Sequence, residues 1–218
     1  MLLRPDYPLE TERLLLRPFT LDDLDALHAI ESREDVTRYL YWMLRTREQV
    51  RRKLVARARL RTLTAEGQVL NLAMVLRGSG QMAGDASLRW ISREHRQGEI
   101  GIVLHPDFHR RGLAGEASLV LLRLGFDELG LHRIIGRCDG RNTASATVLE
   151  RLGMRREAHL RQNELVKGSG RTSSSTPCSW RNGGRSARRV PAGRGERCNT
   201  WPVGQWEERR WQVLRRSL

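Results

Sequence analysis

The chain has 218 residues, of which 39% are hydrophobic and 29% charged, and its formal net charge at pH 7 is +14. This composition is compatible with a globular core, and no run of about 20 apolar residues could span a bilayer as a helix. Charges throughout the first nineteen residues argue against a signal peptide, and the three cysteines have neither zinc-type spacing nor the even number of a secreted disulfide framework. We therefore expect a cytoplasmic protein with no metal site and no membrane partner.

The first half of the chain combines predicted strands with two helices. Thr20 precedes a helix and stands three residues before Asp23, as in a capping box. The sequence Arg-Gly-Ser-Gly at residues 77–80 is typical of a hairpin turn. Periodicity predicts strands over residues 11–17, 68–76 and 81–91 and a second helix over residues 47–62.

The second half adds a strand–helix–strand crossover. A helix that begins at Asn142 or Thr143 is closed by Gly153, a residue typical of the position just after a helix. Antiparallel strands followed by one right-handed parallel connection predict an α+β fold. The predicted elements are strands over residues 98–105 and 133–138, helices over residues 114–129 and 142–152, and a last strand from residue 154.

The turn before the helix at residue 114 has the features of an anion site. Two cations, Arg110 and Arg111, precede Gly112, and small residues continue to Gly115. The first N–H groups of a helix are unpaired, the helix dipole adds positive charge, and small residues let an anion approach the backbone. The turn alone is explained equally simply as a glycine turn with two solvated arginines, because short glycine motifs are weak evidence.

The wider sequence resembles a known family. The stretches GEIGIVLHPDFHRRGLAGEA and LGLHRIIGRCDGRNTASATVLERLGM are similar to the GNAT superfamily of acetyl-coenzyme A-dependent N-acetyltransferases, in particular to its bacterial branch that acetylates ribosomal-protein N-termini (alanine or serine) and related amines. The resemblance covers residues 8 to about 168 and begins with LETERLLLRPFTLDDLDAL. It implies a mixed twisted sheet flanked by helices, with splayed central parallel strands. Gly112 and Ala114 fit the family's pyrophosphate loop, whereas His109 departs from its Gln or Arg.

The resemblance also implies a binding site for acetyl-coenzyme A, without a metal. A backbone N–H near Val103 or Leu104 would polarise the thioester carbonyl. Asn142 would touch the cofactor, although Asn at this position is also a good helix N-cap without any ligand. The turn implied to bind the pyrophosphate consists of His109, Arg110, Arg111, Gly112, Leu113, Ala114 and Gly115.

Two residues are candidates for proton transfer. Glu99 would act as the general base on the amine, and the alternative is an exposed carboxylate at a strand end. Many relatives have a Tyr as general acid in the helix after Asn142, where this sequence has Leu149. Ser145 is the remaining hydroxyl for this role, and the alternative is a small residue that packs in a helix. The acceptor is a primary amine, on a protein N-terminus or a small molecule, and the loop before residue 47 would line its site.

The composition changes abruptly after Gly168. Residues 169–218 contain eleven Arg and three Glu, a net charge of +8, together with four of the six Trp and two of the three Cys. We predict a domain over residues 1–168 and an Arg/Ser/Gly-rich, disordered tail over residues 169–218. A tail of this kind could bind RNA, so the alternative function is a nucleic-acid or ribosome-binding protein. Otherwise we expect only non-specific contact with nucleic acid, and a monomer or homodimer.

A frameshift offers a sharper explanation of the tail. One base restored after the codon for Gly168 allows the reading KGEWTDELVYAVLVAEW, an acidic turn followed by an apolar strand of the kind expected at the end of this family's domain. On this hypothesis residues 169–218 are out-of-frame translation and the C-terminal strand is missing or corrupted. The chain would then be a catalytically impaired remnant that still binds coenzyme A.

Overall fold

A computed structural model describes residues 1–159 and 177–183 of the chain. Eight strands form one sheet in the order β1-β2-β3-β4-β5-β6-β8-β7. The strands are β1 Leu9–Glu10, β2 Leu14–Pro18, β3 Val69–Leu76, β4 Met82–Ser92, β5 Gln97–Leu104, β6 Arg133–Asp139, β7 Arg155–His159 and β8 Pro177–Gly183. The helices are α1 Leu24–Glu31, α2 Glu34–Thr37, α3 Arg47–Arg59, α4 Leu113–Arg123 and α5 Thr143–Arg151. In the described part of the chain, no helix has the length and apolar character needed to cross a membrane.

The sheet is mixed, which confirms the predicted α+β class. Neighbouring strands from β1 to β5 are antiparallel, β5 and β6 are parallel, and β7 and β8 are antiparallel. The connection from β5 to β6 contains α4, so it is the predicted crossover. Parallel neighbours require such a connection because the chain must return to the same end of the sheet.

Two apolar layers cover the two faces of the sheet. Leu72 and Ala73 of β3 are both fully buried but belong to different clusters, because successive side chains of a strand point to opposite faces. Leu72 packs in the cluster that contains Leu121 of α4. Ala73 packs in the cluster that contains Leu27 of α1 and Leu54 of α3. The helices therefore lie on both sides of the sheet.

Local hydrogen bonds explain where the first helices begin. The Thr20 backbone N–H donates to the Asp23 carboxylate at 2.8 Å, which confirms the predicted capping box. A similar box begins α3, where Thr46 donates its backbone N–H to the Gln49 side chain at 2.9 Å. α3 ends three residues before the predicted end, because Leu60 has an extended backbone.

Several predicted boundaries are corrected. The strand expected over residues 11–17 begins only at Leu14, since Thr11 lies in the turn after β1. The helix expected over residues 114–129 changes at Leu124 into a π-helical turn that ends at Glu128. The short helix α2 lies where the sequence predicted no element.

The sequence predicts that the C-terminal strand is missing or corrupted, and the structure has a strand there, β8, with the sequence PCSWRNG. β8 lies between β6 and β7 in the sheet and pairs with β7 in antiparallel fashion, with Cys178 opposite His159. The out-of-frame origin of residues 169–218 stays a prediction. The predicted boundary at residues 168 and 169 lies outside the described residues.

Candidate active site

β5 and β6 run side by side for only part of their length. Their register pairs end at Ile100 and Gly136, whereas β5 continues to Leu104 and β6 to Asp139. Within the described ranges, no further pair joins these two strands. The carboxyl ends of the strands therefore separate and leave the opening that the family resemblance implied.

Backbone alternation decides which N–H groups of β5 face this opening. His105 donates its backbone N–H to the Ala83 carbonyl of β4 at 2.9 Å. Since N–H groups of successive residues in a strand point to opposite sides, the Val103 N–H faces β4 and the Leu104 N–H faces the opening. Of the two predicted donors, Leu104 is the one placed to polarise a carbonyl group there.

The turn before α4 presents unpaired backbone donors. Gly112 is the N-cap of α4 and has φ 75°, in the left-handed region that favours glycine. The N–H groups of Leu113, Ala114 and Gly115 have no hydrogen-bond partner within the described residues, as the geometry of a first helical turn implies. A Cβ atom added at Gly115 would find no atom within 4 Å. The turn therefore offers N–H groups and open space to an anion such as a pyrophosphate.

The cations at this turn lie at its rim. Arg110 and Arg111 are both exposed, and the Arg111 guanidinium lies 5.4 Å from the centre of the Phe108 ring. Arg110 has φ 59°, a left-handed conformation that is uncommon for a residue other than glycine. His109 contacts the Leu104 carbonyl through Nε2 at 3.2 Å. His109 therefore fastens the turn to the end of β5.

Asn142 acts as the N-cap of α5. Its side-chain oxygen accepts a hydrogen bond from the Ser145 backbone N–H at 3.0 Å. The preceding turn is fixed by Asp139, which accepts hydrogen bonds from the backbone and guanidinium of Arg141. Burial raises the pKa of Asp139, but the hydrogen bonds from Arg141 outweigh burial and hold this pKa below its usual range. The start of α5 is thereby held at the open end of β6.

The two candidates for proton transfer lie on different elements. Ser145 is half-buried in the first turn of α5. Leu149, at the position of the family Tyr, is 8% exposed and carries no proton to donate. Glu99 lies on β5 opposite Ile135 of β6, one residue before the last register pair. At about 3.3 Å per residue, its Cα is about 17 Å along the strand from that of Leu104.

Sequence reasoning missed a buried ionic cluster on the face of the sheet that carries α1 and α3. Glu31 contacts Arg45 at 2.5 Å and Arg57 at 3.1 Å, and Arg57 also lies 3.7 Å from Asp85 of β4. Burial raises the pKa of Asp85, although the positive charge of Arg57 acts in the opposite direction. An Asp among the small residues of β4 was the one available signal. Since Arg45 precedes α3, the cluster fixes the loop between α2 and α3.

No group of three or more His, Cys, Asp or Glu side chains is placed to hold a metal ion within residues 1–159 and 177–183. The opening and the α4 turn are built from backbone groups and from polar side chains of β5, α4 and α5. Their chemistry is that of an anion site beside a hydrogen-bond donor for a carbonyl oxygen.

Known proteins are similar to this chain in sequence and in fold. Residues 13–155 match the family described as acetyltransferase (GNAT) domain. The uncharacterized N-acetyltransferase YoaA of Bacillus subtilis (strain 168) is 31% identical over 161 residues, which are 74% of this chain and 90% of YoaA. A GNAT-family acetyltransferase structure from Bacillus anthracis superposes with a TM-score of 0.69 at 29% identity, and the match covers 84% of this chain and 98% of that chain.

A further solved structure shares the fold. The spermidine N-acetyltransferase of Vibrio cholerae, in complex with CoA and spermine, has a TM-score of 0.66 at 17% identity, and the match covers 79% of this chain and 96% of that chain. The matched family, the relative at 31% identity and the strand opening beside α4 agree with one another. The chain belongs to the GNAT family of acetyltransferases.

Proposed function

We propose that the chain transfers an acetyl group from acetyl-coenzyme A to a primary amine. The observation that carries this proposal is the set of unpaired N–H groups of Leu113, Ala114 and Gly115, which begin α4 beside the opening between β5 and β6. Backbone N–H groups from Arg110 to Gly115 bind the pyrophosphate, and the pantetheine arm follows the open part of β5. The V. cholerae relative with CoA and spermine supports both substrates by analogy.

The proposed reaction is a direct transfer. The amine nitrogen attacks the thioester carbonyl carbon, a C–N bond forms and the C–S bond breaks. The Leu104 N–H polarises the carbonyl oxygen. Glu99 accepts one proton of the ammonium group through water before the attack. Ser145 gives its hydroxyl proton to the leaving sulfur and regains a proton, through water, from the nitrogen that has become the amide. Because general acid–base catalysis contributes about 10²–10⁴-fold, binding the two substrates side by side supplies much of the remaining rate.

We propose the N-terminal amine of a protein as the acceptor. The loop between α2 and α3 contains Arg38 and meets β6 through Tyr41. The Arg38 guanidinium lies 5.5 Å from the centre of the Tyr39 ring, and Arg137 of β6 lies 5.8 Å from that of Tyr41. The positive charges of Arg38 and Arg137 would repel a polyamine. They would attract acidic residues that follow the N-terminal residue of a protein acceptor.

Calorimetry on the full chain tests the cofactor, and an acetylation assay tests the acceptor. We expect one molecule of acetyl-coenzyme A to bind per chain. We also expect a peptide with an N-terminal Ser followed by acidic residues to be acetylated faster than spermidine, and the same peptide with a blocked N-terminus to be inert. Absence of acetyl-coenzyme A binding would overturn the proposed function, and faster acetylation of spermidine would overturn the proposed acceptor.

The alternative function, binding of nucleic acid by the basic tail, can be recognised by its dependence on salt. Binding driven by phosphate contacts weakens steeply as salt increases. Our proposal predicts weak RNA binding of the full chain that disappears at high salt, while acetyl-coenzyme A binding persists.

A further inference from the structure

We propose that Arg13 is a positioning residue for acetyl-coenzyme A. Arg13 holds the turn before α4 in the shape that presents its N–H groups to the pyrophosphate, and it does so through Glu116 and through the backbone of Arg111. This inference rests on the proposed function, because it assigns a role at the same cofactor site.

A partly buried ion pair joins Arg13 to the first turns of α4. The Arg13 Nε donates to Glu116 Oε2 at 2.7 Å, and the Arg13 backbone N–H donates to Glu116 Oε1 at 2.8 Å. The Glu116 side chain is only 8% exposed. Two charge-assisted hydrogen bonds to a buried carboxylate leave little freedom to either partner. The start of α4 is therefore fixed to the chain segment that leads into β2.

Thr11 completes this anchor. Its hydroxyl donates to Glu116 Oε1 at 2.5 Å and accepts the Leu14 backbone N–H at 2.9 Å. The turn from β1 to β2 is itself closed by the Thr11 N–H, which donates to the Leu14 carbonyl at 2.9 Å. Thr11 and Arg13 therefore support α4 together, a role that the local sequence does not indicate.

The second contact of Arg13 reaches the turn itself. Its Nη1 donates to the Arg111 carbonyl at 2.7 Å. The two residues beside Arg111 are both left-handed, Arg110 with φ 59° and Gly112 with φ 75°. A left-handed residue other than glycine persists where its surroundings hold it, and successive N–H groups around such residues form anion-binding concavities.

The direction of this hydrogen bond also orients a donor. In a trans peptide unit the C=O and N–H bonds point in opposite directions. Since the Arg111 carbonyl points at Arg13, the Gly112 N–H of the same peptide unit points away from Arg13. Arg13 thereby orients the Gly112 N–H away from β2. Substitution of Arg13 would allow the peptide unit between Arg111 and Gly112 to rotate.

A second arginine provides a matched control. Arg17 of β2 forms a pair with Asp23 in which the side chains are 32% and 7% exposed, against 35% and 8% for Arg13 and Glu116. Both Arg17 hydrogen bonds to Asp23 measure 2.8 Å. Arg17 also donates to the Pro18 carbonyl, and within the described residues it forms no hydrogen bond with the α4 turn. Arg13→Gln and Arg17→Gln therefore remove similar ion pairs, and only the first touches the cofactor turn.

The experiment compares acetyl-coenzyme A binding by calorimetry, and melting temperature, in the wild-type full chain and in the two Gln variants. We expect Arg13→Gln to raise the Kd about tenfold or more, and Arg17→Gln to leave it within about twofold, at similar losses of melting temperature. Arg13→Lys keeps a positive charge without the fork of the guanidinium, so we expect an intermediate Kd. Faster hydrogen exchange at the amides of residues 112–115 in Arg13→Gln would support the same role.

Equal Kd values for Arg13→Gln and the wild type would overturn the inference, and so would equal increases in Arg13→Gln and Arg17→Gln. If Arg13→Gln does not fold, the Kd values of Arg13→Lys and Glu116→Gln for acetyl-coenzyme A are compared with that of Arg17→Gln, and the same criteria apply. Failure of the wild-type chain to bind acetyl-coenzyme A would instead overturn the proposed function, so the two failures are distinguishable.

Discussion

Ile100 lies opposite Gly136, and this is the last register pair between β5 and β6. α5 also packs closely against the sheet at Gly136, since a Cβ atom at this position would lie 2.6 Å from a methyl group of Leu149. The same glycine therefore marks the point where the strands separate and lets α5 pack against β6 there. The position of the opening follows from the end of this pairing, beyond which the Leu104 N–H has no hydrogen-bond partner from β6 within the described residues.

Substitution of Gly112 tests the turn before α4. Gly112→Ala places a side chain at φ 75°, which costs about 1 kcal/mol of folding free energy and disturbs the donors of the turn. We expect the Kd for acetyl-coenzyme A, measured by calorimetry, to rise about tenfold or more. Gly80→Ala, at φ 71° in the turn between β3 and β4, is the control. It introduces a similar backbone strain, and we expect it to bind acetyl-coenzyme A with wild-type affinity. Equal affinity of the two variants would contradict the assignment.

Ala114 tests the space at the turn. Ala114→Leu adds three carbon atoms where we place the pyrophosphate, so we expect it to weaken acetyl-coenzyme A binding about tenfold or more. Ala and Leu have similar helix propensities, so the free energy of unfolding should change little. Ala56→Leu, at an exposed position of α3, is the matched control. Unchanged binding by Ala114→Leu would place the ligand elsewhere.

Glu99 and Ser145 are tested by kinetics. Removal of a general base typically lowers kcat by about 10²-fold or more while substrate binding persists. We expect Glu99→Gln to show this pattern and Ser145→Ala to lower kcat to a smaller extent, with the KM for acetyl-coenzyme A unchanged in both. Glu94→Gln, in the exposed turn between β4 and β5, is the control carboxylate. A kcat of Glu99→Gln equal to that of Glu94→Gln would exclude the proposed base.

The stability of the domain in acid should depend on Asp23. Burial raises the pKa of Asp23, but the hydrogen bonds from Arg17 and Thr20 outweigh burial, so this pKa lies below its usual value. A carboxyl whose folded-state pKa is lowered stabilises the fold fully above the unfolded-state pKa of about 3.9, and this contribution is lost as the pH falls through the folded-state pKa.

Asp23→Asn should therefore be less stable than the wild type at neutral pH, and the difference should shrink below about pH 4. Urea unfolding at several pH values measures this difference, and Asp22→Asn, at the exposed neighbouring residue, is the control. A difference that stays constant with pH would show that the charge of Asp23 is not the cause.

The reading frame after Gly168 can be tested in the gene and in the protein. Replacement of residues 169–183 by EWTDELVYAVLVAEW gives β8 the sequence AVLVAEW in place of PCSWRNG. An interior strand is normally rich in apolar, β-branched residues, so we expect the replacement to raise the melting temperature. An intact frame shared by the genes of close relatives would contradict the frameshift.

Much of the fold follows from local sequence signals. The capping box at Thr20, the hairpin at residues 77–80 and the glycine at 153, which has φ 71°, are confirmed, because each depends on neighbouring residues alone. The ion pair between Arg13 and Glu116 could not be predicted from such local signals. Glu116 is 103 residues from Arg13 along the chain, and nothing in the local pattern of either residue indicates the other.

Long-range packing also explains the other points at which the structure differs from the sequence-based predictions. Leu104 rather than Val103 faces the opening because of the register with β4, and a single strand sequence does not contain that register. The cluster of Glu31, Arg57 and Asp85 joins two helices and a strand, so each member appears in the sequence as an isolated charge.

The most direct test of the account is a titration of the full chain with coenzyme A, followed by amide nuclear magnetic resonance. We expect coenzyme A to shift the amide signals of Leu113, Ala114 and Gly115, because these N–H groups gain an anionic acceptor. Pantetheine, which lacks the pyrophosphate, should leave these three signals unchanged. Binding of coenzyme A with no shift of these signals would contradict the account.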